Sequence, residues 1–547
     1  MSQDAKQGFD GKWAFNKYDA FGRLVITGVT TNNVSRANWA VIINADTTVM
    51  SEERSDSNPN GTGYTNQKQP SVGLADCMNI IYYDDYGFYG NTGGYAPQSV
   101  ISGKLKGMVT GVRSRVINGA MLLSVGYYDD EGRMVETVED NHLGGKDRVL
   151  LRYNFAGELL NTVRTHTDGV ATTSVANAYT YDQMGRSILT KQNINNDGGI
   201  TLSRLGYNEL GQPREKSLHS TDNGSTFKQS TQYAYNERGW LKSSRSPQFS
   251  YKLGYDTLGS GIARYNGDIS IKQWGSENSY PNKFLYGYDG MDRLTSAVST
   301  GVAMSETLTY NAMGNIATLT RDGVTGTYNY NGAGNRLNLI SGGSMATNSY
   351  SYDQRGRVTT DGRTGFSLTY NNLGLTHTAN KASAGVYHSY VHDAMGNRLS
   401  RTVVTPADTT VSDYLGGIHY TNGEIEFIQT EEGRAIKSGD KYVYQYDLSD
   451  YLGNVRYSFD IYEGSVRRLQ GDDYYAFGLR KPVSPVSLDN RYLYNGKELQ
   501  EHLGQYDYGA RFYDPSIGRW LATDPLTELA PSLTPFRYGF NSPVNYT

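Results

Sequence analysis

A tyrosine followed by Asp or Asn, two variable residues, a glycine and a polar residue recurs along this chain, and it restricts the possible folds more than any other feature. Copies begin at Tyr18 (YDAFGR), Tyr83 (YDDYGF), Tyr128, Tyr153, Tyr181, Tyr207, Tyr235, Tyr255, Tyr288 (YDGMDR), Tyr310, Tyr330 (YNGAGN), Tyr352 and Tyr370. A fourteenth carries His392 in the tyrosine place (HDAMGN). From Tyr128 onward the starts are 18 to 33 residues apart, an irregular period near the lower end of repeat lengths. The unit reads as a hairpin: tyrosine ends a strand, and the Asp or Asn side chain opens a turn by accepting from the backbone two residues on. Glycine then takes the left-handed conformation of a three-residue loop, a type I turn closed by a bulge. Asp292 in the glycine place of YDGMDR tolerates a positive φ at some cost.

Stretches between the units, such as SLTYNNLGL (367–375), alternate in the strand manner and are rich in Tyr, Thr, Val, Leu and Ile. Two strands of about 5–6 residues and two turns fill the shorter periods. One such hairpin cannot bury its apolar face alone, so neighbours must add edge to edge into a continuous sheet. Leucine-rich repeats need regularly spaced Leu and Asn, and propeller blades need about 40–45 residues each, so neither fits.

Composition narrows the functions. With 63 Gly, 46 Tyr and only 14 Pro in 547 residues, collagen and Pro-rich disorder are excluded. A hydrophobic fraction of 37% leaves aromatic rings to supply much of the buried area, with their hydroxyls expected to face water or partners. A net charge of -4 provides no basic field for nucleic acid or anionic lipid. The single Cys77 rules out a disulfide framework, a multi-thiolate zinc site and a CxxC redox pair. No apolar segment is long enough to span a membrane as a helix, and no signal peptide is visible.

Three regions are expected: an N-terminal repeat region with a loop insertion (1–119), a YD-repeat β-shell (120–439) and a specialised terminal unit (440–547). In the last, DLSDYLGNVR, DDYYAFGLR and RYLYNGKELQEHLGQYDYGARFYDPSIGRWLATDP share the Tyr and Gly usage but not the repeat. With these residues in view, the whole chain resembles the RHS/YD-repeat family, and its terminal unit resembles the RHS repeat-associated core domain. EDNHLGG (139–145), YNGDISIKQW (265–274) and DYLGNVR (450–456) add to the likeness, although the family usually has His where Tyr451 stands.

The resemblance implies an all-β fold in which tandem hairpins form a long sheet spiralling around a hollow, cocoon-like interior closed by the core domain. It implies a structural shell of a bacterial polymorphic toxin, secreted, at the cell surface or delivered to a target cell. The partners it implies are the shell's own C-terminal toxin cargo or an N-terminal delivery partner. The rival readings are a carbohydrate-binding or adhesion protein and an aspartyl autoprotease.

Family members often cut themselves at the end of the core, which needs two carboxylates sharing a proton. The residues carried over by the motif are Asp524 in TDP, with Arg511 in ARFYDP as its charge partner, and more weakly Asp514 and Arg519. The second carboxylate is expected in an Asp-Pro-x-Gly sequence beyond Thr547, so this form is read as inert in proteolysis, whether truncated or having lost the site. The competing reading of Asp514-Pro515 and Asp524-Pro525 is ordinary turn chemistry.

No cofactor or metal site is expected. NINNDG (193–198) imitates the start of a calcium loop but has Arg204 where the closing Glu belongs, so an Asx turn is expected. His388 and His392 would converge on a helix but lie in a stretch that reads as extended.

Overall fold

The computed structural model describes residues 1–3, 11–45, 51–55, 60–256, 262–332 and 334–546. The fold is all-β, built of antiparallel hairpins, with one α-helix (Arg36–Ala45) among the described residues. The chain forms two compact units. One comprises Met1–Arg186, Lys191–Gly199 and Val391–Ser400, and the other Ser187–Thr190, Ile200–Tyr390 and Arg401–Thr547.

In the first unit, nine strands from Lys12–Tyr18 to Thr172–Tyr181 each pair antiparallel with the next. Their inner face buries Phe15, Val25, Ile26, Ile80, Tyr82 and Tyr127, with Tyr82 stacked on Phe88. The copy at Tyr83 departs from the expected loop. Tyr83 pairs with Val109, and Asp84, itself at φ 74°, donates to the carbonyl of Met108, so the chain makes a long excursion before the second strand. The copy at His392 joins this unit: Ile117 donates to the carbonyl of His392, and Ala394 to that of Arg115.

In the second unit, strands from Ile200–Tyr207 to Leu337–Ser341 pair successively. Further meanders run from Ser351–Tyr352 to the strand that enters at Val386, whose last two residues belong to the first unit, and from Thr409–Leu415 to Arg480–Val483. A small four-stranded sheet, Glu498–Gln500 to Arg519–Trp520, follows. It encloses an aromatic cluster of Tyr494, Tyr506, Tyr513, Trp520 and Tyr538, in which Tyr513 and Tyr538 stack at 3.8 Å.

The loop chemistry read from the motif is present atom for atom. In the first copy, Gly22 donates to the Asp19 carbonyl and Asp19 to that of Arg23, with Gly22 at φ 74°. Asp292, in the glycine place, adopts φ 57°. The copy at Tyr330 is one residue longer: Asn331 bonds Arg336, and Gly332 takes the positive φ (Ala333 lies outside the described residues). The turn residues of the copy at Tyr255, from 257 to 260, also lie outside them.

One expectation is corrected: the turn does not stop at His392. The same bonds and left-handed glycine recur at 450–454 and 475–479, and also at 141–145. At 450–454 and 141–145 the turn forms without the leading tyrosine, whereas at 475–479 Tyr474 keeps the first place and Tyr475 replaces the Asp or Asn.

Candidate functional site

Each turn is a small device of three parts. The Asp19 Oδ1 accepts from the amides of Phe21 and Arg23, both at 2.9 Å, while its Oδ2 takes Arg23 Nε at 2.7 Å. The second and sixth places are chemically matched. Where the second is Asp, the sixth is usually a donor: Arg133 on Asp129, Arg186 on Asp182, Arg293 on Asp289, Arg357 on Asp353. Where it is Asn, whose amide donates, an acceptor can stand there instead: Asn154 Nδ2 gives to Glu158 at 2.5 Å and Asn208 Nδ2 to Gln212 at 3.1 Å.

The third part is the tyrosine, which serves the neighbouring hairpin. Tyr83 Oη donates to the carbonyl of Leu24 at 2.9 Å, Tyr153 to Met134 at 3.0 Å and Tyr181 to Leu159 at 2.8 Å. In the second unit Tyr207 reaches Ser187, Tyr310 reaches Leu294 and Tyr370 reaches Val358, at 2.6 to 2.7 Å. The carbonyl reached is that of the residue just after the preceding turn. There the strand ladder carries an irregularity, as where Tyr18 pairs with Leu24 but Lys17 with Ile26. The sixth-place arginine stacks under the next tyrosine, with Arg23 4.3 Å from the Tyr83 ring and Arg357 4.3 Å from that of Tyr370. The hydroxyls thus go to backbone rather than to water or a ligand.

In the second unit the turns also touch one another in sequence. Gln212 donates to the Gly239 carbonyl, Arg238 to that of Tyr265, Arg264 to that of Tyr288, Asn315 to the Asn335 side chain and Arg336 to the Gln354 carbonyl. They form a contiguous row.

The terminal residues are fastened across that row and into the sheet. Arg363 Nε holds Asp514 Oδ2 at 2.6 Å, Arg321 bonds Glu306 at 2.6 Å and the carbonyl of Pro515, and Arg519 donates to Tyr330 Oη and to the Asn335 carbonyl. Asp514 is fully buried, and burial pushes its carboxyl up, only partly offset by Arg363. A second buried cluster joins Lys272 to Asp450 at 2.5 Å, with Arg456 3.5 Å from the same carboxylate. Burial alone would raise Asp450, but the two cations outweigh it and hold its carboxyl below the ordinary range.

Asp524 and Arg511 are brought together. Arg511 Nη2 lies 3.1 Å from Asp524 Oδ2, and the guanidinium sits 4.2 Å from the Trp520 ring. Asp524 Oδ1 accepts from Leu526, the turn arrangement of an Asp-Pro pair. Burial lowers the Arg511 pKa against the pull of Asp524, and its Nη1 is buried without a hydrogen-bond partner. Asp514 and Arg519, the weaker candidates, serve as the buried clamps just described.

Asn195, Asn196 and Gly198 of NINNDG adopt positive φ in a turn. His388 lies on an extended strand, buried beside Tyr390 and His502. Among the described residues no group of three or more His, Cys, Asp or Glu is arranged to hold a metal ion, and no helix is long and apolar enough to cross a membrane, which says nothing of strands. A cavity of about 660 Å³ lies among Leu218, Tyr233, Phe249, Glu432, Asp447 and Asp450.

Hairpins joined in series, most of them closed by this turn and stapled to their predecessors by tyrosine, form a repeat β-sheet. Residues 262–409 match the family model of the Teneurin YD-shell. Over these residues the chain is similar to the YD-shell family, and the repeated motif extends that likeness along the chain.

Among curated relatives, salivary gland surface protein 1 of Aedes aegypti is 32% identical over 163 residues, covering 28% of this chain and 4% of that protein. Toxin subunit YenC1 of Yersinia entomophaga is 27% identical over 182 residues, covering 28% of this chain and 18% of that protein. A crystal structure of TcdB2-TccC3-Cdc42 aligns with 98% of this chain and 26% of its own, with a TM-score of 0.64 and 16% identity. One of TcdB2-TccC3 without its hypervariable C-terminal region aligns with 98% of this chain and 30% of its own, at TM-score 0.52 and 14% identity. The fold is therefore shared, and the chain spans less than a third of each of these proteins.

Proposed function

We propose that this chain is the wall and closing element of a shell that encloses another polypeptide, the cargo of a bacterial toxin. The observation that carries this reading is the seating of residues 509–546 across successive hairpin turns and into buried ion pairs of the sheet. A terminal segment anchored in this way acts as a fixed closure, which a free adhesin module does not need. The likeness to YenC1 and to TcdB2-TccC3 supports it. On this reading residues 440–547 are the core domain, and the protein is secreted or delivered to a target cell. The test is to join a protease-sensitive polypeptide to the C-terminus and follow its digestion. Protection relative to the free polypeptide is expected, and equal digestion rates would sink the proposal.

The Arg511–Asp524 pair favours one additional reading, half of a self-cleavage site. The buried, unpartnered Nη1 of Arg511 leaves a donor where a second acceptor could sit. Appending an Asp-Pro-x-Gly sequence is expected to produce self-cleavage that Asp524→Asn abolishes. Cleavage undiminished in that variant rules Asp524 out.

A further inference from the structure

In the first unit, the buried face of the strand Lys12–Tyr18 carries a lysine where an apolar residue belongs. Trp13, Phe15 and Lys17 alternate into the core, and Lys17 is only 2% exposed. Lysine is almost never buried so deeply unless it is paired. Its partners come from the insertion that follows the first hairpin: Nζ donates to Glu52 Oε1 at 3.0 Å, to Asn66 Oδ1 at 2.5 Å and to the carbonyl of Lys68 at 2.7 Å. Glu52 and Asn66 are themselves 1% and 3% exposed. The apolar core of this unit includes Phe15, Tyr64, Val72 and Cys77 from the same segments.

Both partners are fixed by further bonds. Glu52 Oε1 also accepts from the Lys68 amide at 2.9 Å, while its Oε2 takes the Gln67 amide at 2.9 Å and the Thr65 hydroxyl at 2.7 Å. Asn66 Nδ2 donates to the Val72 carbonyl at 2.5 Å, and the Asn66 backbone sits at φ 49°, a left-handed conformation that asparagine tolerates. A buried ion pair needs only an amine and a carboxylate. Here a carboxamide is set against the amine as well, with its nitrogen engaged elsewhere and its carbonyl turned to Nζ. Burial lowers the Lys17 pKa against the pull of Glu52, which favours the neutral, nucleophilic amine. Burial would raise Glu52, but Thr65, Lys17 and the Gln67 amide outweigh it, so it rests as a carboxylate able to take a proton.

We propose that Lys17 and Asn66 join in an intramolecular amide bond, formed by the chain on itself with Glu52 as the proton carrier. The ion pair first passes a proton from Nζ to Glu52, leaving a neutral amine. Its lone pair bonds to Asn66 Cγ, the Cγ–Nδ2 bond breaks, and Glu52 gives its proton to the departing nitrogen while taking a second one from Nζ. One amide replaces another and ammonia leaves, so no oxidant or co-reactant is consumed. Amine and amide in water meet too rarely and in the wrong protonation state, and the fold supplies both the contact and the dry surroundings. The bond would tie residues 49 positions apart, the first strand to the insertion, and so restrict the unfolded chain as any long covalent loop does. It is independent of what the protein encloses.

The test is mass spectrometry of the full chain, intact and after tryptic digestion under denaturing conditions. The wild type is expected to be lighter than its sequence by one ammonia, and to yield a branched peptide joining residues 13–23, uncut at Lys17, to residues 55–68. Lys17→Met and Asn66→Ala are each expected to restore the mass calculated from sequence and the linear peptides. Glu52→Gln is expected to leave Lys17 and Asn66 unjoined. Should that variant fail to fold, Glu52→Asp, which keeps the carboxylate but draws it back, is expected to give a mixture of joined and unjoined chain. A wild type of full mass with both peptides linear overturns the proposal, whatever the variants do. So does an ammonia loss found within a linear peptide, as a cyclic imide at an asparagine would give. Complete joining in both Glu52 variants overturns the role given to Glu52.

Discussion

The hairpin turns and the terminal sheet are held by opposite strategies. A turn relies on half-exposed contacts repeated in copy after copy: an Asp–Arg or Asn–Glu pair, a hydroxyl on a carbonyl, an arginine over a ring. Exposed ion pairs contribute about 0–1 kcal/mol and a neutral hydrogen bond about 0.5–1.5 kcal/mol, so no single turn decides the fold. The terminal sheet relies on a few buried charges, Asp514 held by Arg363 and the Pro515 carbonyl held by Arg321, which is itself paired with Glu306 in the repeats; for such pairs desolvation can exceed the attraction but removal of one partner is severe. Loss is therefore graded in the repeats and abrupt at the closure.

The largest effect is expected from Arg363→Met, which strands the buried Asp514 carboxyl and should cost about 3–5 kcal/mol locally. Limited proteolysis should then nick the segment around 498–514 while the repeats survive. An unchanged cleavage pattern removes the contrast.

Next comes acid sensitivity at the same seam. Burial, with His502 and Arg401 nearby, pushes the His388 imidazole down to about 3 from its ordinary 6.5. The unfolded chain therefore takes up a proton that the native state refuses. The resulting stability is complete above pH 6.5 and is lost as pH falls from there toward 3, at about 1.4 kcal/mol per unit. Urea melts between pH 7 and 4.5 should show this slope, and His388→Gln should flatten it.

Smaller is Tyr310→Phe, which leaves the Leu294 carbonyl without its hydroxyl. A cost of about 1 kcal/mol is expected, read as faster hydrogen exchange confined to the adjoining hairpins. Exchange accelerated throughout the unit contradicts graded behaviour.

The smallest effect sharpens the pairing rule. Glu158→Arg puts a donor against the Asn154 amide and should cost about 0.5 kcal/mol, while Asn154→Asp with Glu158→Arg should restore the melting temperature. If the double variant is no better than the single one, the second and sixth places are not matched.

The local half of this architecture was legible in the sequence. Tyr-Asp-x-x-Gly fixes a loop within five residues, so the left-handed glycine, and even Asp292 standing in for it, could be read directly. The copy at Tyr83 misled because the same letters can end a strand without closing a tight turn when the partner strand lies far along the chain. The function of the sixth residue was visible only as polarity, since its match to the second becomes plain when the two side chains are seen on one another. The tyrosine's target lies in another hairpin, as with Tyr83 and Leu24 across a long insertion, and spacing carries no information about it. In the terminal unit, Arg511 and Asp524 are close in sequence, so their hydrogen bond lay within the reach of a local reading. The hold of Arg363 on Asp514, 151 residues away, left no trace that periodicity could reveal.

The tyrosine staple gives the sheet a direction. Each hydroxyl closes onto the hairpin made before it, so every hairpin is finished only when its successor arrives. A chain emerging from the ribosome can therefore complete its wall in the order of synthesis, with one unsatisfied carbonyl at the growing edge at a time. The exposed edge that invites aggregation in so long a sheet moves along with synthesis instead of accumulating.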